Sequence, residues 1–224
     1  MIVLHHLNNS RSQRVLWMLE ELGLPYEIRP YQRDRATMLA PPALREVHPL
    51  GKSPVIEDGA RVLAESGAIV QYLAETYAGD RLIPPRGSDA YWRYTYWMHF
   101  AEGTAMPPLL MKLVFNRMKR APMPFFVRPI ARAMADRTLE WIVEPNLARH
   151  LAYMERELGA GGWFAGEAFS AADIQMSFPL EASAARGGLD EKSAPRLHDF
   201  LKRIHARPAY QRALERGGRY ELGR

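Results

Sequence analysis

The sequence predicts an α/β portion followed by an all-helical portion. Two patterns carry that prediction. Short apolar-rich runs alternate with helical periodicity through residues 1–81, and no convincing strand follows them. The charge balance also changes sign at the same place. Residues 1–80 carry 8 basic and 10 acidic side chains, whereas residues 81–224 carry 22 and 15. The stretch Leu82-Ile83-Pro84-Pro85 lies between them, so the expected domains are 1–81 and 88–224.

Residues 2–7 form an apolar-rich run that reads as a strand, followed by the polar stretch Asn8-Asn9-Ser10-Arg11-Ser12. Val15, Leu16, Met18, Leu19 and Leu22 then recur at helical spacing, with Gly23 and Pro25 as the stop. Ser10 and Ser12 are both N-cap candidates for this helix. Residues 26–31 read as a second strand, which Pro30 assigns to an edge. A short helix covers 43–47. Strands at 54–57 and 61–64 are joined by Asp58-Gly59, a hairpin signal. Ile69, Val70, Leu73 and Tyr77 share one side of a helix over 67–77, which completes the order β-α-β-α-β-β-α.

Beyond the linker, helical patterns run over 89–120, 128–158, 171–184, 194–207 and 209–216, with Pro122-Met123-Pro124 dividing the first two. Ser170 and Asp173 form a capping pair for the third. Tyr91, Trp92, Tyr94, Tyr96 and Trp97 crowd one stretch, and aromatics at helical spacing point to packing or an interface.

Composition excludes several functions. The 224 residues contain 30 Lys and Arg against 25 Asp and Glu, a net charge of +5, with 47% apolar residues, which is ordinary globular composition. There is no cysteine, so disulfides, thiolate metal sites and a catalytic protein thiol are all ruled out. His5 and His6 are adjacent on a strand and point to opposite faces, and no HExxH spacing occurs, so no metal is expected. No apolar run approaches the roughly 18 residues of a membrane span. The N-terminus lacks the pattern of a signal peptide. A soluble, cytoplasmic protein with no membrane partner is therefore expected. The basic excess of the second half is interspersed with acids, with a modest cluster from 117 to 137, so nucleic acid is not expected as a partner. An anionic small substrate would use the same field.

Four stretches, in this order, carry a family resemblance. The first runs from Asn9-Ser10 through Arg14 to Gly23, and the second is His48-Pro49-Leu50-Gly51-Lys52-Ser53-Pro54-Val55. The third runs from Leu63 through Glu65-Ser66 to Leu73, and the fourth from Phe164 through Gly166 and Ser170 to Ile174. Over essentially its whole length the chain resembles the glutathione transferases, and most resembles bacterial and fungal members with a serine after the first strand. The resemblance implies a thioredoxin-like N-terminal domain, an all-helical C-terminal domain and a homodimer. It also implies a detoxifying transferase that joins the thiolate of glutathione to a small apolar electrophile.

Glutathione needs an anion pocket, an amine partner, backbone pairing and a stabiliser for its thiolate. By resemblance, Ser66 and the helix start behind it hold the γ-glutamyl carboxylate while Glu65 pairs with its ammonium. Ser53, joined to Pro54 by a cis bond, offers its backbone to the ligand's cysteine, and Lys52 meets the glycine carboxylate. At Ser53 many family members have an aliphatic residue, and a backbone contact gives its side chain little importance. The working serine of the family lies four or five residues before the equivalent of Arg14. Four places it at Ser10; five places the role at Asn9, whose amide can also donate to sulfur. Arg14 reads as structural, paired with a carboxylate. The second-substrate pocket is expected to be apolar, with Met106, Met111 and Phe115 as candidate linings. Glutathione-dependent disulfide reduction without a protein cysteine, and ligand carriage without turnover, are the alternative functions.

Overall fold

The computed structural model describes residues 1–34, 37–158, 161–186, 188–218 and 220–222. Its sheet has four strands, β1 (Ile2–Leu7), β2 (Tyr26–Tyr31), β3 (Val55–Asp58) and β4 (Arg61–Ala64), in the order β2-β1-β3-β4. β1 runs parallel to β2, with Leu4 opposite Ile28, and antiparallel to β3, with Leu4 opposite Ile56. β2 is an edge strand, where the missing N–H of Pro30 breaks no ladder on its outer side. The β3–β4 hairpin closes through Gly59 at φ +60°, a conformation that glycine adopts without steric cost.

Helix α1 (Ser12–Leu22) is buried on nearly every face, because the sheet, α3 (Ser66–Tyr77) and the C-terminal helices surround it. It ends at Gly23, φ +66°, whose N–H meets the Glu20 carbonyl while Leu24 N–H meets that of Leu19, a Schellman stop. At its start Arg11 is already helical, at φ −61° and ψ −12°, and Ser12 lies inside the helix. Of the two candidate serines it is Ser10 whose hydroxyl accepts from an early helical amide, Ser12 N–H, as a capping side chain does. A short α2 (Leu44–Val47) lies between β2 and β3.

The remaining helices are α4 (Asp89–Phe100), α5 (Met106–Met118), α6 (Arg128–Thr138), α7 (Glu144–Leu158), α8 (Ala171–Ala185), α9 (Pro195–His205) and α10 (Pro208–Gly217). Two of the long helices expected from periodicity are interrupted by π-helical turns, at Ala101–Ala105 and Leu139–Val143. Each turn lies just upstream of proline, Pro107-Pro108 in one case and Pro145 in the other. These prolines have no N–H to continue the ladder, and the preceding turn widens instead.

Helix α8 is almost wholly buried, its polar Asp173, Gln175, Ser177, Glu181 and Ser183 included, as the central helix of this part. The capping pair forms as expected. The Asp173 carboxylate accepts from Ser170 N–H and from Phe164 N–H, both at 2.8 Å. The aromatic stretch divides by helical face. Tyr94 and Trp97 are buried, with the Trp97 ring 4.7 Å from that of Phe164, while Trp92 and Tyr96 face outward. One apolar core runs from Leu4 and Ile56 in the sheet through Trp17 and Met18 to Ile174, Phe200 and Ile204. Each fully buried Leu or Ile in it contributes about 1.5–3 kcal/mol relative to exposure. No described helix is long and apolar enough to cross a membrane.

Candidate active site

All the predicted site residues except Met111 and Phe115 gather at the C-terminal end of β1, in two adjoining clefts that share Arg11 and Ser53. The smaller, about 80 Å³, is lined by Lys52, Ser53, Pro54, Glu65, Ser66 and Glu102 among others. The larger, about 580 Å³, is lined by Asn9, Ser10, Ser53, Met106, Phe178 and Leu222 among others.

In the smaller cleft the backbone presents the side chains. Ser53 and Pro54 are joined by a cis peptide bond. The Ser53 hydroxyl donates to the His5 carbonyl at 2.8 Å and accepts from Leu7 N–H at 3.2 Å, so it ties this loop to β1. That corrects the expectation of a side chain of little importance. Glu65 caps α3 at φ +71° and ψ 120°, a conformation only glycine takes without strain. Ser66 beside it is buried, at the first turn of α3. The side chains of Lys52, Glu65 and Ser66 make no hydrogen bond or ion pair with the described residues, which leaves their polar groups available to a ligand.

Sequence reasoning missed two residues of this cleft, Arg11 and Glu102. Glu102 projects from the first π-helical turn. Its carboxylate pairs with Arg14 Nη2 and lies 3.3 Å from Arg11 Nε. Arg14 is almost completely buried and also donates to the Gln175 carbonyl at 2.6 Å. Burial lowers the Arg14 pKa, and the charge of Glu102 opposes that shift. The available signal was Gly103 followed by two prolines inside a helical pattern, a recognised mark of an irregular and functional turn.

In the larger cleft, beside the shared Arg11, Ser10 is 4% exposed. Its Oγ accepts from Ser12 N–H at 3.2 Å and lies 2.8 Å from Ser12 Oγ. Ser12 Oγ in turn lies 2.9 Å from His6 Nδ1, while His6 Nε2 is 3.1 Å from the Gly217 carbonyl. A carbonyl can only accept, so Nε2 carries the His6 proton and Nδ1 is an acceptor, for which the one proton of Ser12 Oγ is shared with the Leu7 carbonyl at 3.2 Å. Burial lowers the His6 pKa, against the pull of the Gly217 carbonyl, which fits this neutral tautomer. Asn9, in a left-handed conformation at φ +48°, has its Oδ1 engaged by Glu221 N–H at 2.7 Å. Its NH2 group is therefore the part with donors to spare.

Helix α5 shows which candidate linings reach the larger cleft. Met106, Leu110, Leu113 and Arg117 line it, a stripe at i, i+4, i+7 and i+11. Met111 and Phe115 do not. Met111 sits off the stripe and is 37% exposed, and Phe115 packs against the second apolar cluster around Leu139 and Val143. The segment 220–222 borders the cleft. Leu222 lines it, and Tyr220 OH donates to Glu181 at 2.7 Å. A separate cavity of about 530 Å³ between α8, α9 and α10 holds Glu181, Tyr210 and His205 and none of the sequence-predicted site residues. Among the described residues, no three His, Asp or Glu side chains cluster as metal ligands.

Known proteins bear on this arrangement. Residues 10–76 match the N-terminal domain of glutathione S-transferases, and residues 108–208 match the C-terminal domain. The chain is 39% identical over 217 residues to glutathione S-transferase 3 of Schizosaccharomyces pombe, covering 96% of this chain and 88% of the relative. A glutathione S-transferase structure from Actinobacillus pleuropneumoniae superimposes with a TM-score of 0.76 at 32% identity, over 99% of this chain and 94% of the other. A sphingomonad glutathione S-transferase complexed with glutathione gives 0.72 at 26% identity, over 96% of this chain and 98% of the other. The four-stranded sheet with its helices is thus the thioredoxin-like part of a known two-part fold, and the chain belongs to the glutathione S-transferase family of transferase enzymes.

Proposed function

We propose that the protein binds glutathione in the smaller cleft and joins it, through its thiolate sulfur, to a small apolar electrophile held in the larger one. The observation that carries this is the pairing of the two clefts. One presents Lys52, Glu65 and Ser66 without internal partners, the other is roomier and is lined by Asn9 and Ser10, and the two share Arg11 and Ser53. Lys52 meets the glycine carboxylate, and the Ser53 backbone ahead of Pro54 pairs with the cysteine. Ser66 and the α3 amides take the γ-glutamyl carboxylate, and Glu65 takes the ammonium.

A free thiol is only a few per cent ionised at neutral pH, and the thiolate is the nucleophile. Lowering its pKa by about two units needs about 2.7 kcal/mol of differential stabilisation. The Ser10 hydroxyl supplies it by turning its proton from Ser12 to the sulfur. The sulfur then bonds to the electrophilic carbon, the leaving group departs with its electron pair, and the thiol proton passes to solvent. The protein acts as a cytoplasmic homodimer in detoxification, and no metal takes part.

A second assignment of the thiolate contact rests on the anchored Oδ1 of Asn9, which leaves its NH2 free to donate. With Asn9 in that role, glutathione-dependent disulfide reduction becomes the competing activity. Turnover of 1-chloro-2,4-dinitrobenzene against hydroxyethyl disulfide compares the two. The direct test is the ultraviolet thiolate absorbance of bound glutathione across pH in wild type, Ser10→Ala and Asn9→Ala. We expect a wild-type midpoint well below that of the free thiol, raised by Ser10→Ala. A midpoint raised only by Asn9→Ala moves the role to Asn9. Binding with no lowered midpoint makes the protein a carrier, and absence of glutathione binding rejects the function.

A further inference from the structure

The larger cleft carries more charge than an apolar-substrate pocket needs. Among the described residues four arginines line it, from four separate parts of the chain. Arg11 precedes α1, Arg33 follows β2, Arg117 lies in the last turn of α5, and Arg186 caps α8. The Glu221 carboxylate is the one acidic side chain among the described lining residues. Arg11 leans on Glu102 at 3.3 Å. The Arg33 guanidinium donates to the carbonyls of Met38 at 3.1 Å and Asn9 at 3.4 Å, and Arg186 donates to the Leu109 carbonyl at 3.4 Å. Arg11 is thus paired with a carboxylate, whereas the carbonyl contacts orient Arg33 and Arg186 without neutralising their charge. The Arg117 guanidinium makes no hydrogen bond or ion pair with the described residues. Burial lowers the pKa of both Arg33 and Arg186, and the positive charges of Arg117 and Arg11 add to that effect. Like charges gathered from distant parts of the chain weaken the fold unless an anion joins them. Met106, Leu110, Leu113 and Phe178 supply an apolar wall alongside.

We propose that the second substrate is an amphipathic anion, an electrophile whose apolar body carries a carboxylate, sulfonate or phosphate monoester that these arginines bind. Arg117 and Arg186 supply the main contact, since guanidinium groups pair with such oxyanions in bidentate fashion. The inference rests on the transferase function proposed above and narrows its substrate class. The glycine carboxylate of glutathione is the other possible source of the anion, and the test separates the two.

The test compares 1-chloro-2,4-dinitrobenzene with its carboxylate analogue 4-chloro-3,5-dinitrobenzoate, which loses the same chloride. Each kcat/KM is divided by the rate of that compound with free glutathione thiolate, which removes their difference in intrinsic reactivity. The wild-type protein is expected to prefer the carboxylate at least about tenfold at low salt. Added salt reduces the preference, as for any partly exposed charge contact. Arg117→Gln and Arg186→Gln are each expected to cut the ratio several-fold, and Arg117→Lys to restore part of it. Turnover of the neutral compound with no preference for the carboxylate overturns the inference and leaves the transferase function standing. Equal losses on both compounds, with weakened glutathione binding, also overturn it and assign the arginines to glutathione. Failure to bind glutathione at all rejects the transferase function and this inference with it.

Discussion

Arg14 of α1 and Glu102 of the first π-helical turn form an ion pair that joins the two halves of the fold directly beneath the smaller cleft. The arginine is 1% exposed and its partner carboxylate is about one-third exposed. One side of the pair therefore has no access to water, and the pair holds the cleft wall against α1.

Removing the carboxylate strands that buried charge. Glu102→Ala is expected to cost about 3 kcal/mol, the range found when one partner of a buried pair is deleted. Urea denaturation measures it. A loss below about 1 kcal/mol would mean that the Gln175 carbonyl alone satisfies Arg14.

Glu65 sits in strained backbone. Glu65→Gly is expected to raise stability by about 1 kcal/mol, since relief of the strain outweighs the extra chain entropy of glycine. The same substitution removes the partner proposed for the glutathione ammonium, so affinity measured by calorimetry is expected to fall at least about tenfold. Stability and binding moving in opposite directions is the diagnostic result. A stability loss would show that the carboxylate supports the fold.

His6 links stability to pH. Its pKa is lowered by burial from an ordinary value of 6.5. As the pH drops through that value the unfolded chain takes up a proton that the folded chain resists, so stability falls. Melting temperatures between pH 7.5 and 5 are expected to decline more steeply in wild type than in His6→Gln, which keeps a donor for the Gly217 carbonyl. Parallel curves would dismiss the effect.

Asp173 holds the start of the central helix. Asp173→Ala leaves the Phe164 and Ser170 amides without an acceptor, each worth about 1–3 kcal/mol when buried, so a loss of about 3 kcal/mol is expected. Asp173→Asn keeps one accepting oxygen and should lose about half as much. Thermal unfolding of the two variants against wild type checks the order.

The tail at 220–222 borders the larger cleft. Truncation before Tyr220 removes the Tyr220–Glu181 and Glu221–Asn9 contacts together. It is expected to raise KM for the second substrate several-fold while glutathione affinity changes less. Equal losses in both would tie the tail to the glutathione site.

Local chemistry made much of this legible in sequence. The strands at Ile2–Leu7 and Tyr26–Tyr31, the Gly23 stop, the Asp58-Gly59 hairpin and the Ser170–Asp173 cap all depend on neighbours within a few positions. Periodicity gave most of the helices, because a 3.6-residue repeat is a property of the chain itself. It gave Met106 as a cleft residue and misplaced Met111 and Phe115, since amphipathic spacing does not say which apolar face meets a cleft and which meets the core.

The sequence by itself determined the class of the fold and the absence of any protein thiol. Tertiary structure alone decided the rest. It brought Glu102 to Arg14 across 88 positions and Glu221 to Asn9 across 212. It also drew Arg11, Arg33, Arg117 and Arg186 into one cleft. Contacts between residues distant along the chain leave no local pattern. They arise only once burial of the apolar core has fixed how the helices cross, and that packing sets which charges must share a space.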